Sequence, residues 1–334
     1  MRASWTALRA QLDAVVRRQR HVVAGDSEDV VQEKIERYFW PLYKWVEDVI
    51  EQTRQDTPAA KRCVCIGLSC VQGGGKTTMT RLLKEMFDST GKKCAIVSLD
   101  DVYLTRAEQV ALAEANPTNP LLQHRGNPGT QDMPLLMQFI SECKTSSGEI
   151  ASPRFDKSLH GGRGDRLPVE KWERVKGPLD VLLVEGWCMG FRALESTDGL
   201  NENLVPVNDA LRDYEELYKA LDALVVIRVD SLQWVYKWRE EQEQHLREAQ
   251  KPALSSDQVR DFVDRFMPAY ETYLPDLYAA PSNASPSTPT PATQHAPSNL
   301  ERIPRMVLRI DAARRPSLAH PPEILNTPTK EITG

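Results

Sequence analysis

The spacing of apolar positions changes character once along this chain. Up to about residue 54 they recur at helical intervals. Leu8, Leu12, Val15 and Val16 mark a stripe within residues 4–20, and Val31, Ile35, Tyr38, Phe39, Leu42 and Trp45 mark another within 28–54. Pro41 falls inside the second stripe. It has no N–H and its ring crowds the preceding turn, so a kink is expected there. After a polar link at 52–61, short runs rich in β-branched residues take over, at 63–68, 94–99, 181–184, 223–229 and 306–310. They alternate with helix-length segments, among them 231–249 and 255–278, the latter broken near Met267-Pro268. Strands apolar on both faces belong to a parallel sheet covered by helices. The predicted fold class is therefore α/β, three layers with a mainly parallel sheet flanked by helices, plus N-terminal helices. Sites in such folds lie at the carboxyl ends of the strands.

Composition refines this picture in a few places. The 334 residues are divided here into a helical extension, 1–58, and a main domain, 59–334. Between 279 and 300 the chain is almost entirely Ala, Pro, Ser, Thr and Asn with no Asp, Glu, Lys or Arg, and this insertion is expected to be disordered. A formal net charge of −5 offers no basic field for a nucleic-acid backbone. No apolar run approaches the roughly 20 residues that cross a bilayer, so neither nucleic acid nor membrane is an expected partner. The six cysteines show no CxxC pair and no Cys/His ligand spacing, so they read as buried small apolar residues in a reducing compartment. Arg2, Arg9, Arg17, Arg18 and Arg20 stand against one acid, Asp13, in the first 24 residues. That pattern suits a mitochondrial targeting helix or an ordinary amphipathic helix. The second reading, and with it a cytoplasmic protein, is the one taken.

The candidate chemistry begins at Gln72-Gly73-Gly74-Gly75-Lys76-Thr77-Thr78, between the first strand and a helix. Successive glycines let backbone N–H groups close on a polyphosphate, and the helix presents its positive end to the same anion. Lys76 can then reach the β/γ oxygens and the Thr77 hydroxyl can ligand Mg²⁺. The full pattern wants Gly at position 70, where Cys70 stands. The second strand ends in Ser98-Leu99-Asp100-Asp101. An acid pair after a strand is often a helix cap, but beside this loop a carboxylate can take an alcohol proton or hold the metal. Asp100 is the first choice and Asp101 the second. Glu185, after Val181-Leu182-Leu183-Val184, follows the logic of a strand-end acid that orients magnesium. The fold is thus a P-loop NTPase fold. Arg125, Arg154, Arg163 and Arg166 lie in Gly- and Asp-rich segments suited to a small anion, and Arg239 and Arg247 on the 231–249 helix are lid candidates. His160 and His245 read as structural.

Taken together, these blocks resemble D-glycerate 3-kinase of the plant and fungal type, within the P-loop kinases that include uridine kinase, phosphoribulokinase and pantothenate kinase. The resemblance runs from about residue 63 to 278 and resumes at 306–316. It is carried by the 72–78 loop, Asp100-Asp101-Val102-Tyr103, Arg125-Gly126-Asn127 with Asp132, Phe155-Asp156-Lys157-Ser158, and Gly161-Gly162-Arg163-Gly164-Asp165-Arg166. Glu185-Gly186-Trp187, Tyr236-Lys237-Trp238-Arg239 and Met267-Pro268-Ala269-Tyr270 complete it. Cys70 and Val102 depart from the family's usual residues. The resemblance implies that Lys76 and Thr77 bind ATP and Mg²⁺, that Asp100 is the base, that Glu185 assists the metal, and that Arg239 closes over the phosphates. Asp101, Tyr103, Arg125, Asp132, Arg163, Arg166 and Arg265 are the candidate acceptor contacts, and the arginine that takes the substrate carboxylate stays open among Arg125, Arg163, Arg166 and Arg265. The expected reaction is transfer of the γ-phosphoryl of Mg·ATP to the 3-hydroxyl of D-glycerate. The alternatives are the same chemistry on a nucleoside or pantothenate-like alcohol, and a non-kinase ATP-binding module. An Asn-Lys-x-Asp segment of a GTPase switch is absent from the sequence, and Glu185 is followed by Gly186 rather than a second acid.

Overall fold

A computed structural model describes residues 5–18, 25–56, 63–279, 295 and 298–326. Three helices come first: α1 (Trp5–Arg18), α2 (Glu28–Lys34) and α3 (Trp40–Asp56). The irregularity expected at Pro41 takes the form of a π turn, Ile35–Phe39, just ahead of the proline. One extra residue in that turn lets the chain continue as a helix where the proline supplies no N–H. The helix also runs to Asp56, into the segment read as a polar link.

Alternation of strand and helix follows: β1 (Val64–Cys70), α4 (Lys76–Ser89), β2 (Cys94–Ser98), α5 (Arg106–Ala115) and α6 (Met133–Thr145). Then come two short hairpin pairs, β3 (Glu149–Ser152) with β6 (Glu173–Lys176) and, nested inside, β4 (Phe155–Asp156) with β5 (Asp165–Arg166). The chain returns to the sheet in β7 (Val181–Gly186), α7 (Val205–Ala210), α8 (Tyr214–Ala220) and β8 (Ala223–Val229). It ends with α9 (Gln233–Glu248), α10 (Ser256–Asp264), α11 (Met267–Tyr278), β9 (Arg305–Ile310) and β10 (Glu323–Leu325).

The main sheet has the order β10-β9-β8-β1-β7-β2 and is parallel except at β10. Every residue of β1 and β7 is buried, which is why these strands read as unbroken apolar runs rather than alternating ones. Register carries β1, β7 and β2 to their carboxyl ends side by side, with Leu68 opposite Glu185 and Glu185 opposite Ser98. The connections leave β1 in opposite directions from here, and this crevice is where ligands bind in open α/β sheets.

The N-terminal helices brace α4. Leu12, Val15 and Val16 are fully buried, Arg18 pairs with Glu85, Gln11 donates to the Ser89 carbonyl, and the rings of Tyr43 and Phe87 stand 5.5 Å apart. No helix among the described residues is long and apolar enough to cross a membrane. All six cysteines are buried. Most of the 279–300 insertion, expected to be disordered, lies outside the described residues, as do residues 1–4 and 19–24 of the Arg-rich N-terminus. Of the insertion, His295 forms an antiparallel β-bridge with Leu194 and lies 3.4 Å from Asp276, and Asn299–Glu301 forms a 3₁₀ turn with Leu300 buried.

Candidate active site

The donor end of the site is built on β1 and α4. Gly73 and Gly75 have φ of 78° and 96°, left-handed values that favour glycine. Close packing dictates glycine as well. A Cβ on Gly73 would stand 2.6 Å from that of Trp238, and one on Gly74 would lie 2.2 Å from Cys70 Sγ. The cysteine at the position where the pattern wants glycine thus fills the floor of the loop and leaves no room above it. Burial pushes its thiol up to about 12, so it is a packing group. Lys76 curls back over the loop, donating to the carbonyls of Cys70 at 2.8 Å and Val71 at 3.2 Å. Thr77 donates its hydroxyl to Glu185 Oε1 at 3.0 Å.

Glu185 is 4% exposed, and its Oε2 is buried with no hydrogen-bond partner. Burial raises its pKa, against the pull of Lys76 and Thr77. An orphaned carboxylate oxygen beside a threonine hydroxyl at the mouth of a phosphate loop fits a divalent cation. Gly186 follows for a steric reason, since a Cβ there would meet Leu99 Cδ1 at 2.3 Å. Among the described residues no group of three or more His, Cys, Asp or Glu side chains is placed to hold a metal. Magnesium held by one hydroxyl, one carboxylate and phosphate oxygens needs no such group.

Asp100 and Asp101 leave β2 together and part company at once. Asp101 Oδ2 accepts from the Ser98 amide at 2.9 Å in a capping box over the turn Leu99–Val102, with Arg154 at 3.4 Å. Placed among the acceptor contacts from sequence, Asp101 is instead a capping group, because the short turn needs an acceptor for that amide. Asp100 points into the crevice. Its Oδ1 accepts from the Tyr103 hydroxyl at 2.6 Å and its Oδ2 from Lys157. Burial alone would raise the pKa of Asp100, but Lys157, the Tyr103 hydroxyl and Lys76 outweigh it and hold the carboxyl below its ordinary value. It is therefore ionised at neutral pH, as a proton acceptor must be. Val102, a departure from the family pattern, is fully buried.

Of the expected acceptor contacts, Asp132 and Arg166 pair with each other at 2.9 Å. Asp132 also caps α6, and Arg166 donates to the Tyr103 carbonyl. Their charges thus meet each other and the backbone that frames the site. Arg125, Arg163, Arg239 and Arg265 gather instead. Arg125 donates to the Gly162 and Arg163 carbonyls and covers the Phe155 ring, and Arg163 lies against the His124 ring. Arg239 and Arg265 flank the Phe262 ring at 4.4 and 5.2 Å, paired with Glu243 and Asp261. Burial, then mutual repulsion among these guanidiniums, lowers the pKa of Arg265, while burial lowers that of Arg125. Burial with Arg163 and Arg265 nearby pushes His124 down to about 4, so it stays neutral. A neutral histidine inside a cluster of cations suits an anion. Arg247, the other lid candidate, is tied to Glu240 and the Leu254 carbonyl and anchors the end of α9.

Sequence reasoning missed three contributors. Tyr270 OH accepts from the Gln72 amide at 2.9 Å, inside an aromatic group in which Trp187 meets Phe191, Phe266 and Tyr270 edge-on. Arg314, from the segment after β9, donates to the Gly73 carbonyl at 2.7 Å and covers the Trp238 ring at 4.8 Å. Lys157 reaches Asp100 from the hairpin between β4 and β5. The blocks holding Tyr270 and Lys157 stood out in the sequence, but nothing local says what each touches.

A silent nucleotide-binding module needs the loop and the cation ligands. It does not need a second, ionised carboxylate at the end of the neighbouring strand, opening on a cluster of arginines. A phosphate loop on one side and a cluster of arginines on the other fit the class of P-loop kinases of small molecules. Comparison with known proteins narrows it. The chain is 36% identical over 300 residues to the chloroplastic D-glycerate 3-kinase of Arabidopsis thaliana, a match that covers 86% of this chain and 61% of that protein's length. An uncharacterized kinase of Schizosaccharomyces pombe is 34% identical over 245 residues, covering 70% of this chain and 88% of its own. The solved structure of D-glycerate 3-kinase from Cryptococcus neoformans var. grubii superposes with a TM-score of 0.72 at 27% identity, over 90% of this chain and 100% of that one. No protein-family model matches the sequence. The chain belongs to the same kinase family as the Schizosaccharomyces pombe protein, and it spans about three fifths of the length of the Arabidopsis enzyme it also matches.

Proposed function

We propose that this protein transfers the γ-phosphoryl group of Mg·ATP to the 3-hydroxyl of D-glycerate, giving 3-phosphoglycerate and ADP. The observation that carries the reading is Asp100, ionised and turned into the crevice between the phosphate loop and the arginine cluster. The amides of residues 73–77 and the Lys76 ammonium hold the polyphosphate. Thr77 and Glu185 would hold Mg²⁺, which would supply positive charge against the phosphates. Asp100 takes the proton of the acceptor hydroxyl as its oxygen bonds to the γ-phosphorus and the bond to ADP breaks. Arg239 stabilises the transferring group, and Arg125, Arg163 and Arg265 hold the acceptor's carboxylate. Most of the acceleration comes from position and fixed charge, since phosphoryl transfer asks little covalent work of the protein. Six buried cysteines without CxxC spacing support a reducing setting, the cytoplasm.

An acceptor panel tests this. The purified chain with Mg·ATP is expected to release ADP with D-glycerate well above the rates with uridine or pantothenate. Preference for either of those, with glycerate inert, would reject the acceptor while leaving the kinase.

A further inference from the structure

The candidate base has both oxygens engaged. Tyr103 donates to Oδ1 and Lys157 to Oδ2. An alcohol can hand its proton to Asp100 only where one of these donors gives way. Tyr103 is 4% exposed, packed edge-on against Phe155, and has no room to leave. Lys157 is different in every respect. Its side chain is 55% exposed, on a four-carbon stem, at the start of the exposed segment 157–163. That tip turns through four residues with left-handed backbone, His160, Gly161, Gly162 and Gly164. It is Lys157 that can move.

An ammonium that leaves the carboxylate but stays at the crevice is best matched by another anion brought there. Of the other cations nearby, Arg166 has Asp132 and Arg154 has Glu173 and Asp101, while Lys76 and Arg125 donate to backbone carbonyls of their own surroundings. Among the described residues no other cation is hydrogen-bonded to Asp100. An acceptor whose carboxylate lies two carbons from its reacting hydroxyl would bring both groups at once, the hydroxyl to Asp100 and the negative charge within a lysine's reach.

Resting on the glycerate reading above, we propose that Lys157 reads the acceptor's charge: it closes on Asp100 in the free enzyme and passes to the acceptor's carboxylate, leaving Asp100 blocked toward neutral alcohols. Lys157 is then a specificity residue for anionic acceptors, distinct from the arginine cluster because it alone also touches the base. Arginine at this position keeps the charge and loses only some of the fit.

The full-length chain with Mg·ATP is assayed with D-glycerate and with glycerol, which keeps the hydroxyl and lacks the carboxylate. In Lys157→Met, kcat/KM for glycerate is expected to fall about ten- to a hundredfold, the worth of a hydrogen bond to a charged group, chiefly through KM. For glycerol it is expected to hold or rise, and Lys157→Arg to recover much of the glycerate value. An unchanged glycerate-to-glycerol ratio, whether both rates fall together or neither moves, overturns the proposal. Should Lys157→Met fail to fold, Lys157→Gln puts the same ratio to the test. Wild-type protein inert toward glycerate but active on another alcohol would reject the acceptor assignment itself, a result separable from an unchanged ratio.

Discussion

The two ends of the active site are made in opposite ways. The donor end is contiguous: β1, its glycine loop and α4 follow one another in the chain, and Glu185 joins them from the adjacent strand through a single register. Its groups are packed so closely that the glycines at 73 and 74 have no substitute. The acceptor end is assembled from four separate segments, the turn after β2, the 125–132 loop, the β4–β5 hairpin and the helices α9 and α10, and much of it is exposed. Triphosphate binding is common chemistry held by a rigid backbone cradle. Acceptor recognition is set by side chains on loops, where it can be altered without disturbing the fold.

That contrast can be broken from either side. Asp100→Asn keeps the shape of the acceptor end and removes the base, so kcat is expected to fall by about 10²–10⁴ while ATP affinity holds. Equal losses in turnover and ATP binding would mean that the two ends are not separable. Gly74→Ala attacks the donor end. Its Cβ meets Cys70 Sγ, and overpacking of this kind costs about 1–3 kcal/mol, read as weaker ATP binding with the acceptor KM little changed. Adding Cys70→Ala to the same chain removes the sulfur and should restore most of the affinity, and a pair of additive losses would deny the contact. The smallest effect is expected from Asp101→Ala. Loss of the capping box costs about 0.5–2 kcal/mol in thermal or denaturant unfolding, with turnover within a few-fold of wild type.

The same contrast governs how much was legible beforehand. Strands buried on both faces, the glycine loop, Lys76, Thr77 and Glu185 are local facts of composition and order, and the sheet and donor end could be read from them. Asp100 could be named, but not separated from Asp101 on local grounds, because the capping box depends on how the chain turns after Ser98. The β3–β6 hairpins and β10 were missed, since short, half-exposed strands carry no sustained alternation. Tyr270 and Arg314 reach the phosphate loop from 198 and 241 residues away. No local pattern encodes a contact of that span. Asp132 and Arg166 looked like acceptor ligands because charge in a Gly-rich loop suggests an anion site, and only the packed structure shows that they satisfy each other.

The most direct measurement follows phosphorus itself. Purified chain, ATP, Mg²⁺ and D-glycerate are incubated and the products read by ³¹P NMR. The account predicts a phosphomonoester at the 3-position of glycerate, formed one for one with ADP. ADP with no phosphorylated glycerate, or phosphate on the 2-position, would contradict it.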